Sequence, residues 1–223
     1  MYKRLHWVLA RLGDLIAGRN EAVRLPDLPV YRADGPIPKQ DRVVHPFREI
    51  DGRAGYYLAA NYRYGEVAEL AWLRYDNRAD PLEVKHGQYG WRTRLDHASM
   101  VLRLGYGGEA RAQLMRGDTL MGATAVALDF RAWFALISRQ LGPGTLALRY
   151  DRFRTGEHDI LPEDANSERG RALAQAYSIN VSDAVAVVAE LTAIDSTRDA
   201  RLLLGEGRRQ IERSLAASVR WRF

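Results

Sequence analysis

The sequence predicts an all-β chain, an up-and-down antiparallel β-barrel or partial barrel of about nine to ten strands, and three observations predict it. From Arg53 onward the chain runs in short segments that alternate apolar and polar side chains and are rich in Tyr, Val, Leu, Trp and Ala. That is the period-two pattern of strands. The connections between the segments alternate short and long, the layout of a barrel with tight turns at one end and polar loops at the other. No helix long enough to cross a membrane fits: the longest stretch free of charged residues, 172–182, has 11 residues, against the ~20 a membrane helix needs.

Composition narrows the function classes. The 223 residues carry 33 Lys+Arg against 28 Asp+Glu and no cysteine, which removes zinc-finger, disulfide-scaffold and thiol-nucleophile chemistry together. Aromatic residues are plentiful, against low-complexity disorder. The positive charges are interleaved with acids rather than gathered in a basic run, so the high pI does not point to nucleic acid.

Taken in order, Met1-Tyr-Lys-Arg4 and the apolar residues 5–10 begin like a secretory signal. Arg11 and Asp14 interrupt the apolar region, and no small-x-small cleavage site follows. The expectation is a chain that stays inside or lacks the true start of its gene, with residues 5–12 supplying a tenth strand. Residues 20–52 hold five of the eight prolines, without sustained periodicity, and are expected to be a long loop or linker. Residues 1–52 are therefore an N-terminal segment, and 53–223 the barrel. Its strands are expected at 54–63, 66–76, 90–104, 108–117, 123–139, 144–154, 170–180, 184–195 and 210–223. Short turns fall at 64–65, 105–107, 140–143 and 181–183, and long loops at 77–89, 118–122, 155–169 and 196–209.

The last segment is the most specific. Phe223, Trp221, Val219, Ala217, Leu215 and Ile211 share one face, broken by Arg213, while Arg222, Arg220, Ser218, Ala216, Ser214 and Glu212 take the other. At ~3.3 Å per residue a tilted strand of this length crosses a ~25 Å apolar band. A soluble, ligand-binding antiparallel barrel with its apolar face inward has the same alternation. Bulky charges on the polar positions (Arg92, Arg94 and Asp96; Asp129 and Arg131; Arg149 and Asp151) favour apolar-outward, a transmembrane barrel. So does an aromatic final residue inside the strand pattern.

The closing Ser-Leu-Ala-Ala-Ser-Val-Arg-Trp-Arg-Phe resembles the C-terminal assembly signal of Gram-negative outer-membrane barrels, carried by Leu215, Ala217, Val219, Trp221 and Phe223. The stretches 46–57, 75–80, 87–94, 128–131 and 148–153 are similar to porins of proteobacteria, broadly of the phosphate-selective type. The resemblance spans about residues 46–223 and implies a porin-like channel for passive diffusion of small polar solutes in the cell outer membrane. The partners it implies are outer-membrane lipid and lipopolysaccharide, the barrel assembly machinery, small polar solutes and further copies of the chain. Such porins have a cleaved signal and roughly sixteen strands, which makes this chain the expected C-terminal part of a longer barrel, or a non-functional fragment of a porin gene.

The expected lumen face carries Arg92, Arg94, Asp96, Asp129, Arg131, Arg149, Asp151, Glu190, Glu212, Arg220 and Arg222. Six arginines against five acids incline such a pore to anions, because a low-dielectric wall focuses their field. Acids and bases paired across strands fill a polar interior equally well. The aromatics near strand ends suit two interfacial girdles, whereas Trp133 sits mid-segment and fits ordinary strand propensity. The acidic loop 155–170 lacks the spacing and turn glycine of a calcium loop and reads as solvated. His97 and Ser99 share a strand face, the minimum for a base beside a nucleophile, with nothing to orient them. The chain is therefore expected to be no enzyme, with no catalytic residue, metal or cofactor.

Overall fold

A computed structural model of the chain describes residues 23–24, 37–41, 43–45, 48–159 and 165–221. Its strands are β1 (Val23–Arg24), β2 (Val43–Val44), β3 (Tyr56–Tyr64), β4 (Ala68–Asp76), β5 (Val84–Lys85), β6 (Gln88–Tyr89), β7 (Trp91–Leu104), β8 (Gly108–Met121), β9 (Val126–Leu141), β10 (Gly144–Glu157), β11 (Glu168–Asn180), β12 (Val185–Arg198) and β13 (Arg209–Trp221). One 3-10 helix, Asp199–Leu204, lies between β12 and β13. The expected strand at 5–12 lies outside the described residues.

Nine strands form one antiparallel sheet in the order β3-β4-β7-β8-β9-β10-β11-β12-β13, so that, with the separate β5–β6 hairpin set aside, each strand pairs with its neighbours in the chain. The sheet is all-β and up-and-down, as the alternation predicts, and it is a partial barrel: β3 and β13 are its two open edges. The turn after β7 shows how local chemistry sets the register. Tyr106 (φ 59) and Gly107 (φ 69) are both left-handed, and Gly108 N–H donates to Gly105 O at 3.3 Å. Leu104 pairs with Gly108, so the connection is the three residues 105–107, and a glycine takes the left-handed position without steric cost.

The structure differs from the sequence expectation mainly at the loop end. Residues 118–121 are strand, not connection: β8 continues because Asp118 and Thr119 pair with Arg94 and Thr93 of β7 and with Asp129 and Leu128 of β9. Its link to β9 is only 122–125. The loop after β4 folds into the β5–β6 hairpin. Within 20–52, β1 pairs with β2, and Gln40, Asp41 and His45 bond to the β5–β6 hairpin through Asp41 N–H to Gly87 O (2.6 Å), Tyr89 N–H to Gln40 Oε1 (3.1 Å) and His45 N–H to Gln88 Oε1 (2.6 Å). Ile37 is buried there against Met121 and Ala125, and these three are the buried hydrophobic residues among those described.

Candidate functional site

Register determines which side chains share a face, because directly paired residues of antiparallel strands point the same way. Followed from Leu215, one row reads Leu191, Gln175, Leu148, Ile137, Ala110, Leu102, Ala68 and Tyr64. Every second residue from these belongs to the same face. The exposed large apolar side chains of the nine strands lie on it, from Leu58 and Trp72 through Ile137 and Leu173 to Leu215 (75% exposed) and Val219 (69%), with Tyr57 and Trp91 the exceptions. Phe130, Phe134, Leu136 and Ile194, on the other face, are half-buried. A single-layer sheet shows that asymmetry when it curls, so the Leu215 face is the convex, outer one.

Along each strand the outer face changes character with height. Toward the short turns it is mostly apolar, broken by Arg139, Gln175 and Arg213: on β12 Val185, Val187, Ala189, Leu191 and Ala193 follow one another, a rise of roughly 26 Å at ~3.3 Å per residue. Aromatic side chains stand at both margins, Tyr64, Tyr177 and Trp221 at the turn side, Trp72, Trp133 and Tyr150 at the loop side. Trp133 sits in the middle of β9, as its place in the sequence indicates, at the level where the apolar band ends, and its ring meets that of Tyr150 at 5.5 Å between centroids. Directly above, one cross-strand row reads Arg74, Asp96, Arg116, Arg131, Arg154, Arg169, Thr197 and Arg209. With the tiers beside it this row makes a charged collar. Arg74 reaches Asp96 at 3.0 Å, Arg116 reaches Asp96 at 3.6 Å, Arg94 and Arg92 reach Asp118 at 3.0 and 3.6 Å, and Arg171 and Arg209 share Asp195 at 3.1 and 2.8 Å.

The eleven expected lumen residues therefore do not line one surface. Arg92, Arg94, Asp96, Asp129 and Arg131 are on the outer face, in the collar, on the same side as Leu215, Ala217, Val219 and Trp221. Arg149, Asp151, Glu190, Glu212 and Arg220 are on the inner face. Arg222 and Phe223 lie outside the described residues. The physical reason is that a barrel wall varies in polarity along its axis as well as between its faces, so a charged residue marks a height as readily as it marks the lumen.

Several inner-face charges are locally neutralised. Arg149 forms a paired contact with Asp151 (2.6 Å) and lies 3.9 Å over the Phe134 ring, and Glu69 holds Arg63 at 3.3 Å and Arg103. On the paired strands six inner arginines (63, 103, 111, 149, 198, 220) face seven carboxylates (69, 109, 151, 157, 168, 190, 212), so the expected arginine surplus is absent. Sequence reasoning missed that β9 is apolar on this side too, with Val126, Leu128, Phe130, Phe134 and Leu136 in alternation. The alternation is visible in the sequence, but both parities of β9 are largely apolar. Phe130 and Phe153 close over strand glycines: a Cβ at Gly117 or Gly170 would stand 2.6 or 2.5 Å from the Cζ atoms of those rings.

His97 and Ser99 both face inward, opposite Met115 and Gln113. No group of three metal-ligating side chains occurs among the described residues. In the loop before β3, desolvation works to raise the Asp51 carboxyl. Hydrogen bonds from the backbone N–H groups of Asp80 and Arg53, with the Arg53 charge, outweigh it and hold the carboxyl below its ordinary value.

Comparison with family models, with curated proteins and with solved structures finds no match to this chain.

Proposed function

We propose that the chain forms the wall of a porin-like β-barrel in the outer membrane, a channel for passive diffusion of small polar solutes. The observation that carries this reading is the placement of the exposed apolar side chains on one face of the sheet, in a band flanked by aromatics and topped by a charged collar. A soluble barrel would place that band inward, in its core; a lipid-facing wall places it outward. Backbone bonding also suits lipid, since a fully paired antiparallel sheet leaves unsatisfied groups only at its edges. Solutes are selected by size and by a lumen field that is weak, because inner-face charges nearly cancel.

The test is fractionation of the full chain given a secretion signal, followed by planar-bilayer recording. The expected result is recovery from membranes only with detergent, stepwise conductance, and a reversal potential close to zero in a salt gradient. Recovery from the aqueous fraction without detergent would sink the membrane reading. It would favour a soluble ligand-binding barrel, for which the apolar inner stripe of β9 is the one favourable observation.

A further inference from the structure

The collar holds an arrangement that its own residues do not balance. Arg116, Arg131, Arg154 and Arg169 are successive Cα partners on β8, β9, β10 and β11, so four guanidinium groups leave one face side by side. Arg152 and Arg171, partners of each other, stand one step nearer the apolar band. Arg116 and Arg171 have carboxylates to meet; among the described residues Arg131, Arg152, Arg154 and Arg169 form no ion pair. Nearby acids are already engaged, Asp129 with His158 and Asp195 with Arg171 and Arg209.

We propose that this arginine row seats the phosphate groups of an acylated, phosphorylated lipid whose chains lie along the apolar band. It rests on the membrane reading above. Like charges held directly opposite one another repel, and a phosphate between two guanidinium groups turns that repulsion into paired charge-assisted hydrogen bonds. With strands ~4.8 Å apart, the four arginines span roughly 14 Å, room for a headgroup with two phosphates. An open depression of about 1190 Å³ lies over this part of the sheet, lined by Arg131, Arg152, Arg154, Arg169 and Arg171 and also by Asp195, Asp199 and Glu168, of which Asp195 and Asp199 are already paired with arginines. Immediately on the turn side come Tyr150 and Leu173, the start of the apolar band. A cationic row on the rim of an apolar band matches an amphiphile, whereas a free anion uses the row alone.

The test uses the full chain in uncharged detergent, with native mass spectrometry to count bound lipid. The probes are lipid A carrying two phosphates, the same lipid without phosphate, and inorganic pyrophosphate as competitor. The expected result is at least tenfold tighter retention of the phosphorylated lipid, little competition by pyrophosphate, loss of the preference in R131Q/R154Q/R169Q, and no change in R139Q, an arginine of the same face on β9 nearer the short turn. Should the triple variant fail to fold, R154Q alone and the wild-type preference decide. Equal retention of the two lipids by wild type, equal loss in R139Q, or pyrophosphate binding as tight as the lipid overturns the proposal. A chain that needs detergent but ignores phosphate loses only this inference, whereas a chain recovered in water without detergent loses the membrane reading itself.

Discussion

Two stretches of the same collar stand above the same apolar band and are built differently. Across β4, β7 and β8 the sign alternates: Asp96 lies between Arg74 and Arg116, and Asp118 receives Arg94 and Arg92. Across β9, β10 and β11 the sign repeats, with Arg131, Arg154 and Arg169 opposite one another. The first stretch pairs its charges internally; in the second, Arg131, Arg152, Arg154 and Arg169 meet no carboxylate among the described residues. The difference lies in the order of charges perpendicular to the chain, which strand pairing alone creates. Two surfaces of similar composition can thus be closed or open to a partner according to register.

The largest expected effect tests the boundary on which the comparison stands. Leu148→Arg places an arginine in mid-band on the strand that carries Arg152 and Arg154, and should cost about 2–4 kcal/mol in a lipid bilayer. Urea unfolding in vesicles measures it, and a cost below about 1 kcal/mol would mean that the band does not face lipid. Next, Arg154→Glu gives the repeating stretch the alternation of the other. It should gain about 0.5–1 kcal/mol in uncharged detergent and lower retention of phosphorylated lipid at least tenfold; a destabilised variant would show that the row carries no repulsion. Asp96→Asn does the converse, releasing Arg74 and Arg116. The pairs are partly exposed, so the expected cost is only about 0.5–1 kcal/mol, with severalfold stronger retention of the same lipid.

The smallest effect is a control away from both stretches. Asp51 has a folded-state carboxyl held below its ordinary value. Its stabilisation is present above that ordinary value, ~3.9, and is lost as pH falls through it and then through the lower folded value. Amide exchange at Asp80, which donates to Asp51, taken relative to an unprotected amide at the same pH, should remain slow down to about pH 4 and quicken below it. Quickening at pH 6 would remove Asp51 as its cause.

The strands themselves were legible in the sequence, because period-two alternation is a local signal: eight of the nine regions differ from expectation only at their ends, and β8 by four residues gained at Asp118–Met121. Turn chemistry at Tyr106–Gly107 was equally local. The faces were not. In β7, Arg92, Arg94 and Asp96 share their parity with Ala98, Met100 and Leu102, so one face is charged at the loop end and apolar below. Reading polarity as a face sent these charges to the lumen; only the chain of pairings back to Leu215 shows that polarity here records height. The arginine row was invisible for the same reason, since its members are 15, 23 and 15 residues apart and meet only through register.

Nine is an odd number, and the consequence falls at the seam. In strict up-and-down order the first and ninth strands, β3 and β13, point the same way, so joining them directly makes a parallel seam in an otherwise antiparallel wall. A second copy adds nine more strands: two copies with their loops on one side meet at two parallel seams, and never at an antiparallel one. A single extra strand, such as the one the sequence predicts over 5–12, restores even parity and allows every neighbour to run antiparallel. For the nine strands of the described residues, the parity of the seam is therefore a matter of counting, set before any side chain is considered.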